Sequence, residues 1–179
     1  MAIDFEVVKT SLFNWASSQV PVGMPVIFYE PNAPRPNQAY ITLYLNSIDQ
    51  ISWDWYSHKA NAVGEIDMHG DRRFTLQIQS YGSDPLTVLE NLRSSLQKQT
   101  VLDTLRANGL AFYNFLSIND ITDLVDSRYE RRAQMDLRFG IGQSYIDSPG
   151  YFDHTQINEK VFNAAEILVY DEVIQIPEV

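Results

Sequence analysis

The clearest pattern in this chain is a strict alternation of apolar and polar residues that ends at Ile141. Its apolar members are Ala133, Met135, Leu137, Phe139 and Ile141. Side chains of a β-strand point alternately to opposite faces, so the pattern predicts a strand with one buried and one polar face. Because a dense group of charges precedes it, we expect one long strand over Asp126–Ile141, whose polar face meets solvent or a partner.

Further β-forming segments surround this strand. Arg72–Tyr81 alternates as cleanly, and Gly70-Asp71 predicts a turn immediately before it. Ser47–Asn61 carries Trp53, Trp55 and Tyr56 among polar residues, which indicates the tip of a long β-hairpin or a loop between strands. Shorter strands are predicted at Val26–Glu30, Tyr40–Asn46, Ala62–His69 and Leu110–Leu116.

Apolar residues recur at helical spacing in three segments. Asp4–Gln19 has a stripe of Phe5, Val8, Leu12 and Trp15, widened by Val7 and Ala16, with Asp4 as the N-cap. Asp84-Pro85 begins a second helix, because proline is tolerated at the first helical position. Its stripe is Leu89, Leu92 and Leu96, with Leu86 and Val88 beside it. Thr100 begins a short third helix that ends at Asn108-Gly109.

The remaining segments are mostly loops. Three prolines in Glu30–Tyr40 predict an extended surface loop. Asn119–Leu124 is predicted to be a turn and Gln143–Thr155 a polar loop, whereas Ile157–Asp171 fits helix or strand and its β-branched end favours a strand. Hairpin-linked strands around grouped helices indicate an α+β fold: a mostly antiparallel sheet with helices on one face and a protruding long hairpin. We expect one domain over residues 1–179.

Composition excludes several classes of protein. The chain has 179 residues and no cysteine, so disulfides, cysteine zinc sites and thiol catalysis are excluded. The formal net charge of −10 argues against a general electrostatic grip on nucleic acid. No apolar run is long enough to span a membrane, and the N-terminus lacks the basic start of a signal peptide.

Sequence motifs for catalysis are absent. The three histidines, His58, His69 and His154, stand in polar surroundings. Glu65, Asp67 and His69 would share one strand face and could hold a divalent ion, although a hydrated strand face is the more common meaning of such a pattern. The acidic run from Asn119 to Asp126 lacks the glycine and glutamate of a calcium loop. We therefore expect no metal, no cofactor and no enzymatic activity.

Two groups of residues are candidate contacts with other protein chains. The first is the charged start of the long strand, where arginines suited to planar bidentate pairing could form salt bridges between subunits. The second is the tryptophan segment, because Trp and Tyr dominate binding hot spots. A solvated mixed-charge surface and local loop packing are the alternatives. The candidates are Arg128, Tyr129, Glu130, Arg131, Arg132, Trp53, Trp55 and Tyr56.

The order of four segments resembles the phage neck terminator family. They are EPNAPRPNQAYITL, GDRRFTLQIQSYG, the leucine helix and DSRYERRAQMDLRF. The matching elements are a proline-rich segment with Pro34, Arg35, Pro36 and Tyr40, a strand-end Tyr81-Gly82, and Tyr129 to Ala133. The resemblance covers about Trp15 to Phe139, leaves residues 141–179 unassigned, and adds Arg35 to the candidate contacts.

The resemblance implies a structural virion protein. Such proteins form a ring, usually a hexamer, on the head-proximal end of the tail tube, where they stop tube polymerisation and join the tail to the neck or head. The implied partners are further copies of the chain, tail tube and sheath proteins, and neck or head-completion proteins, and the genome passes through the ring without specific binding. The location would be the virion, with assembly in the host cytoplasm and no membrane.

Three other hypotheses remain open at this point. A tail-tube or head-completion protein of the same machinery would use similar surfaces. A small metal-dependent hydrolase would use Glu65, Asp67 and His69. A monomeric ligand-binding α+β domain would have no viral role.

Overall fold

A computed structural model describes residues 3–32, 34–57, 59–125, 128–150, 155–162 and 168–176. Its described helices are α1 (Phe5–Gln19), α2 (Pro85–Ser95) and α3 (Gln99–Ala107). Its described strands are β1 (Val26–Phe28), β2 (Tyr40–Gln50), β3 (Trp55–Tyr56), β4 (Ile66–Tyr81), β5 (Leu110–Asp120), β6 (Asp123–Val125), β7 (Arg128–Glu130), β8 (Arg132–Asp147), β9 (Thr155–Phe162) and β10 (Leu168–Ile176).

The chain divides into two compact units. The larger comprises residues 1–55 and 68–145, and the smaller comprises residues 56–67 and 146–179. The larger unit holds the three helices and a sheet with the strand order β1-β2-β4-β8-β5, to which β3 adds by pairing with β4. β2 pairs antiparallel with β4, and β5 with β8, whereas β1 runs parallel to β2. This confirms the predicted α+β fold with a mostly antiparallel sheet.

The three helices and one face of the sheet form the core of the larger unit. Trp15 of α1 is buried, lies edge-on to Phe139 at 6.3 Å between ring centroids, and donates its indole N–H to Ser95 Oγ at 3.0 Å. Phe74, Leu76 and Ile78 of β4 lie in the same cluster. The alternate residues of β8 from Ala133 to Phe139 are fully buried, as predicted, and Ile141 is partly buried against them.

The helix boundaries follow mostly from their caps. Asp4 accepts hydrogen bonds from the backbone N–H groups of Glu6 and Val7, which confirms the predicted N-cap of α1. Pro85 is the first residue of α2, as expected, although the Asp84 side chain makes no capping hydrogen bond. The prediction for α3 was wrong at its start, because Lys98 is the N-cap and Thr100 lies inside the helix. Gly109, at φ 76°, ends it as predicted.

The predicted turn at Gly70-Asp71 was wrong, since β4 runs through both residues. Gly70 is needed there for space: a Cβ atom on it would overlap the Asp54 carboxylate. The turn lies earlier, in the smaller unit, where Gly64 has φ 81° and donates its N–H to the Asn61 carbonyl at 2.9 Å. The Asn61 side chain accepts hydrogen bonds from the N–H groups of Val63 and Glu65, which closes this turn locally.

The predicted single strand over Asp126–Ile141 was also wrong. Asp126 and Ser127 lie outside the described residues, β7 covers Arg128–Glu130, and Arg131 interrupts the ladder before β8 begins. β7 pairs with β6 in a small hairpin, so the predicted turn over Asn119–Leu124 contains the end of one strand and the start of another. β8 continues to Asp147 through residues predicted to be loop. In the smaller unit, β9 and β10 confirm the preference for strand near the C-terminus.

Candidate interaction surface

Arg131 explains why the charged segment is not one strand. Its guanidinium donates to the Ser83 carbonyl at 3.0 Å, and its own carbonyl accepts the Gly82 N–H at 3.1 Å. Both partners lie in the connection from β4 to α2. These two hydrogen bonds therefore hold the chain, at the point where β7 ends, against the connection from β4 to α2.

Arg132 begins β8 and holds the turn before β6. Its Nε donates to the Ile121 carbonyl at 3.1 Å, and its guanidinium lies 3.7 Å from Asp123 Oδ2. The Ile121 N–H donates in turn to the Arg132 carbonyl at 3.0 Å. Arg132 thus stabilises this turn within its own chain, in addition to any contact that it makes with another chain.

Arg35 and Glu130 come together from distant parts of the chain. The Arg35 guanidinium lies 3.5 Å from Glu130 Oε2, and its side chain is 66% exposed whereas that of Glu130 is 28% exposed. That Glu130 oxygen is inaccessible to water and accepts no hydrogen bond from the described residues. Arg35, a candidate contact only through the resemblance, thereby places the proline-rich loop against the charged segment.

A stacked tyrosine pair lies beside these charges. Tyr40 and Tyr81 face each other across β2 and β4, with ring centroids 4.4 Å apart and planes 5° from parallel. Burial raises the pKa of Tyr40, and Tyr81 adds to this, while Arg35 and Arg132 act in the opposite direction. The phenol of Tyr81 donates to Gln79 at 2.6 Å, and the Gln79 amide donates to Gln134 of β8 at 3.2 Å. The uncovered sheet face is therefore tied together by polar contacts.

The β6–β7 hairpin exposes an apolar pair at this end of the sheet. Leu124 and Tyr129 are cross-strand partners, and Tyr129 is 77% exposed. The side chain of Arg128 lies outside the described residues. We call the group of Arg35, Leu124, Tyr129, Glu130 and Arg132 the hairpin surface. It combines a large aromatic residue and arginines, which are enriched in protein-binding surfaces, with a half-buried carboxylate.

The tryptophan segment lies at the other end of β4. Trp53 is 94% exposed, and Trp55 stacks on His69 with ring centroids 4.3 Å apart. Tyr81 lies eleven positions after Gly70 in β4, a distance of roughly 36 Å along a strand. The exposed Tyr56 belongs to the smaller unit. The structure thus keeps Trp53 and Trp55 apart from the hairpin surface.

A charged cluster at this end had no counterpart in the sequence-based prediction. Both carboxylate oxygens of Asp54 lie 2.7 Å from Arg72 nitrogens, and Asp54 also accepts from Tyr145 at 2.9 Å and Gln50 at 3.1 Å. The hydrogen bond from Arg72 lowers the pKa of Asp54 to about 2. The cluster joins β2, β4 and β8. Its only sign in the sequence is that two charged residues, Asp54 and Arg72, lie within a region of β-forming residues.

The residues proposed for a metal do not form a site. Glu65 accepts a hydrogen bond from the Asn61 side chain at 2.9 Å. Across the described parts of the chain, no three His, Asp or Glu side chains are grouped so that they could hold a metal ion. His58 and His154 lie outside those parts. None of the helices described is long and apolar enough to cross a membrane.

A groove lies between α1 and α3. Its volume is about 610 Å³, and Trp15, Val101 and Leu105 supply much of its apolar lining. Glu6 is its one carboxylate, and neither His nor Lys lines it. Such a lining offers no paired acid and base for catalysis.

The comparison with protein families agrees with the resemblance found in the sequence. The family of phage neck terminator proteins matches residues 10–165. A solved structure, the sheath/tube terminator of the extracellular contractile injection system PVC in its extended state, is similar with a TM-score of 0.48 and 12% identity. That similarity covers 93% of this chain and 66% of the other chain, which is just under two thirds of its length. None of the curated proteins matches the chain.

Proposed function

Because the chain belongs to the phage neck terminator family, we propose that it forms a ring at the head-proximal end of a phage tail. There it stops polymerisation of the tail tube and joins the tail to the neck or head. The observation that carries this proposal is the family match over residues 10–165, which extends well beyond the segments that resembled the family by inspection. Because that match includes residues of both units, we also propose that they act as one terminator domain.

The hairpin surface is the proposed contact between neighbouring copies. Leu124 and Tyr129 offer apolar area, and the Arg35 guanidinium is largely exposed although it pairs with Glu130. Exclusion of water from the contact would strengthen the Arg35–Glu130 ion pair. Arg128 and Arg131 lie next to this surface in the sequence and are proposed to contribute to the same contact.

Trp53, Trp55 and Tyr56 are the proposed anchors for a second type of partner. The exposure of Trp53 and its separation from the hairpin surface support a role in docking to tail tube, sheath or neck proteins rather than to the same neighbour. The proposed ring is a hexamer through which the genome passes without specific binding. A formal net charge of −10 supports passage of the genome without specific binding, because an acidic wall repels DNA phosphates. The protein would act without a cofactor or catalysis, in the virion after assembly in the host cytoplasm.

The oligomeric state tests the proposal directly. Mass photometry and electron microscopy of the purified protein should show closed rings of one subunit number. A strict monomer at high concentration, with no ring at the head-proximal end of tails, would contradict the proposal. Counting copies per virion separates the alternatives, since a terminator occupies one ring whereas a tube protein occupies many.

A further inference from the structure

The main sheet ends in two edges of different character. β1 has three residues and stands between Pro25 and Pro31, which protects that edge because proline cannot extend a ladder. β5 forms the other edge with eleven residues, LAFYNFLSIND, that include no Pro, Lys or Arg. Among the described strands it pairs only with β8. The larger unit therefore has one protected edge and one long edge with an unoccupied outer side.

The open edge also exposes large apolar side chains. Tyr113, Phe115 and Leu116 are each between 39% and 52% exposed. Two β-bulges shift the register of β5 against β8, but the strand continues past both. A long, largely apolar edge without lysine, arginine or proline is a template for another strand, and soluble proteins rarely leave one uncovered.

The chain carries a candidate strand pair of its own. β9 and β10 have eight and nine residues, and among the described residues they form a separate two-stranded sheet. A two-stranded hairpin is marginally stable in water and gains stability when further strands extend it. The β5 edge and the β9–β10 hairpin are similar in length. The edge lacks an outer strand and the hairpin lacks a neighbouring sheet, so pairing the two would complete both.

We propose that the β9–β10 hairpin of one copy adds to the outer edge of β5 in the next copy. This inference rests on the proposed ring and specifies how its subunits are joined. A contact between two different surfaces of identical chains is heterologous, and such contacts close into a ring when the rotation between copies allows it. Main-chain hydrogen bonds would then continue across each subunit boundary, as in other cases of strand addition.

The absence of cysteine makes the test specific. Ser117→Cys places one thiol on β5, while Val173→Cys or Asn158→Cys places one on β10 or β9, at positions that face each other across the hairpin. A short bis-maleimide added to a mixture of the β5 variant and a hairpin variant can link them only between copies. Linked dimers are expected in the mixture and in neither protein alone.

Leu116→Lys tests the same contact by a substitution rather than by a new cross-link, because a lysine on an edge strand blocks strand addition. Leu116 is 45% exposed, and we expect the variant to fold, to lose the linked dimer, and to assemble only at about tenfold higher concentration. Leu86→Lys is the matched control, since Leu86 is 43% exposed and belongs to a helix, α2, which cannot add a strand. Equal assembly of the two lysine variants would overturn the inference.

Other outcomes separate this inference from the proposed function. Normal rings without linked dimers in either mixture would overturn strand addition and leave the terminator ring standing. Linked dimers of Ser117→Cys alone would mean that β5 of one copy pairs with β5 of another copy instead of with the β9–β10 hairpin. A purely intramolecular link in a chain that carries both thiols would mean that the hairpin pairs with β5 of its own copy. Each of these overturns the inference, whereas a wild-type protein without rings overturns the proposed function as well.

Discussion

The two faces of the main sheet use the same strands for different purposes. On the covered face, Phe74, Leu137 and Phe139 are buried beneath the helices. On the uncovered face, the alternate positions carry Gln79, Gln134 and Arg132, which are half-buried and hydrogen-bonded to one another or to nearby backbone. Because alternate residues of one strand serve the two faces, substitutions one residue apart should separate folding from assembly.

The largest effect is expected on the covered face from Leu137→Asp. Leu137 is fully buried, so the new carboxylate would lose its hydration without gaining a partner. That costs several kcal/mol, which is comparable to a typical total stability of ~5–15 kcal/mol. The variant should be unfolded at neutral pH, as measured by loss of a cooperative thermal transition in circular dichroism.

Its control is the next residue along β8. Arg138→Asp introduces the same carboxylate on the uncovered face, where Arg138 is only partly buried, and should leave a folded protein. If both variants lost their thermal transition equally, the difference between the two faces would be refuted.

Beyond the helices, the covered face carries the charged pair of Asp54 and Arg72 instead of apolar residues. Gly70→Ala tests that region. The new Cβ would overlap the Asp54 carboxylate and lie 2.6 Å from an Arg72 nitrogen, so the pair must move apart. Such overpacking costs about 1–3 kcal/mol. Gly142→Ala is the control, because a Cβ at Gly142 meets no atom within 4 Å. Chemical denaturation should show a lower free energy of unfolding for Gly70→Ala alone.

The pH dependence of stability should depend on Asp54. Its pKa is lowered from 3.8 to about 2 by the hydrogen bond from Arg72, so the folded state binds its proton more weakly than the unfolded state does. The stabilisation is therefore complete above about pH 3.8 and is lost as the pH falls through about 2. Asp54→Asn should be less stable than wild type at neutral pH, and the difference should shrink across that acidic window. A difference that does not change with pH would contradict this account.

Local pattern predicted much of the fold because the core follows the strand period. Ala133 to Phe139 and Phe74 to Ile78 are buried as their alternation indicated, and Asp4 caps α1 through its nearest neighbours. The errors arose where tertiary contacts override local preference. Gly70 followed by Asp71 has the local pattern of a turn, but the glycine is required by the close approach of Asp54, which no local pattern contains.

The candidate surface was predicted in part for the same reason. Tyr129 to Arg132 stood out as a dense group of charges, yet the break at Arg131 depends on Ser83, 48 positions earlier in the chain. The pairing of Arg35 with Glu130 was likewise invisible to spacing, because the proline-rich loop reaches the charged segment only in the folded chain. Sequence thus identified the residues, and the fold decided which of them meet.

The smallest effect on folding is expected from Arg132→Ala on the uncovered face. Truncation removes one hydrogen bond to the Ile121 carbonyl and a long ion pair with Asp123, a loss of about 1 kcal/mol. The variant should therefore remain folded but form fewer rings, as measured by mass photometry at a fixed concentration. Arg106→Ala is the control, since Arg106 is an exposed arginine on α3 that also pairs with an aspartate. If Arg132→Ala and Arg106→Ala assembled as well as wild type, the uncovered face would be a solvated surface and the contact between copies would have to lie elsewhere.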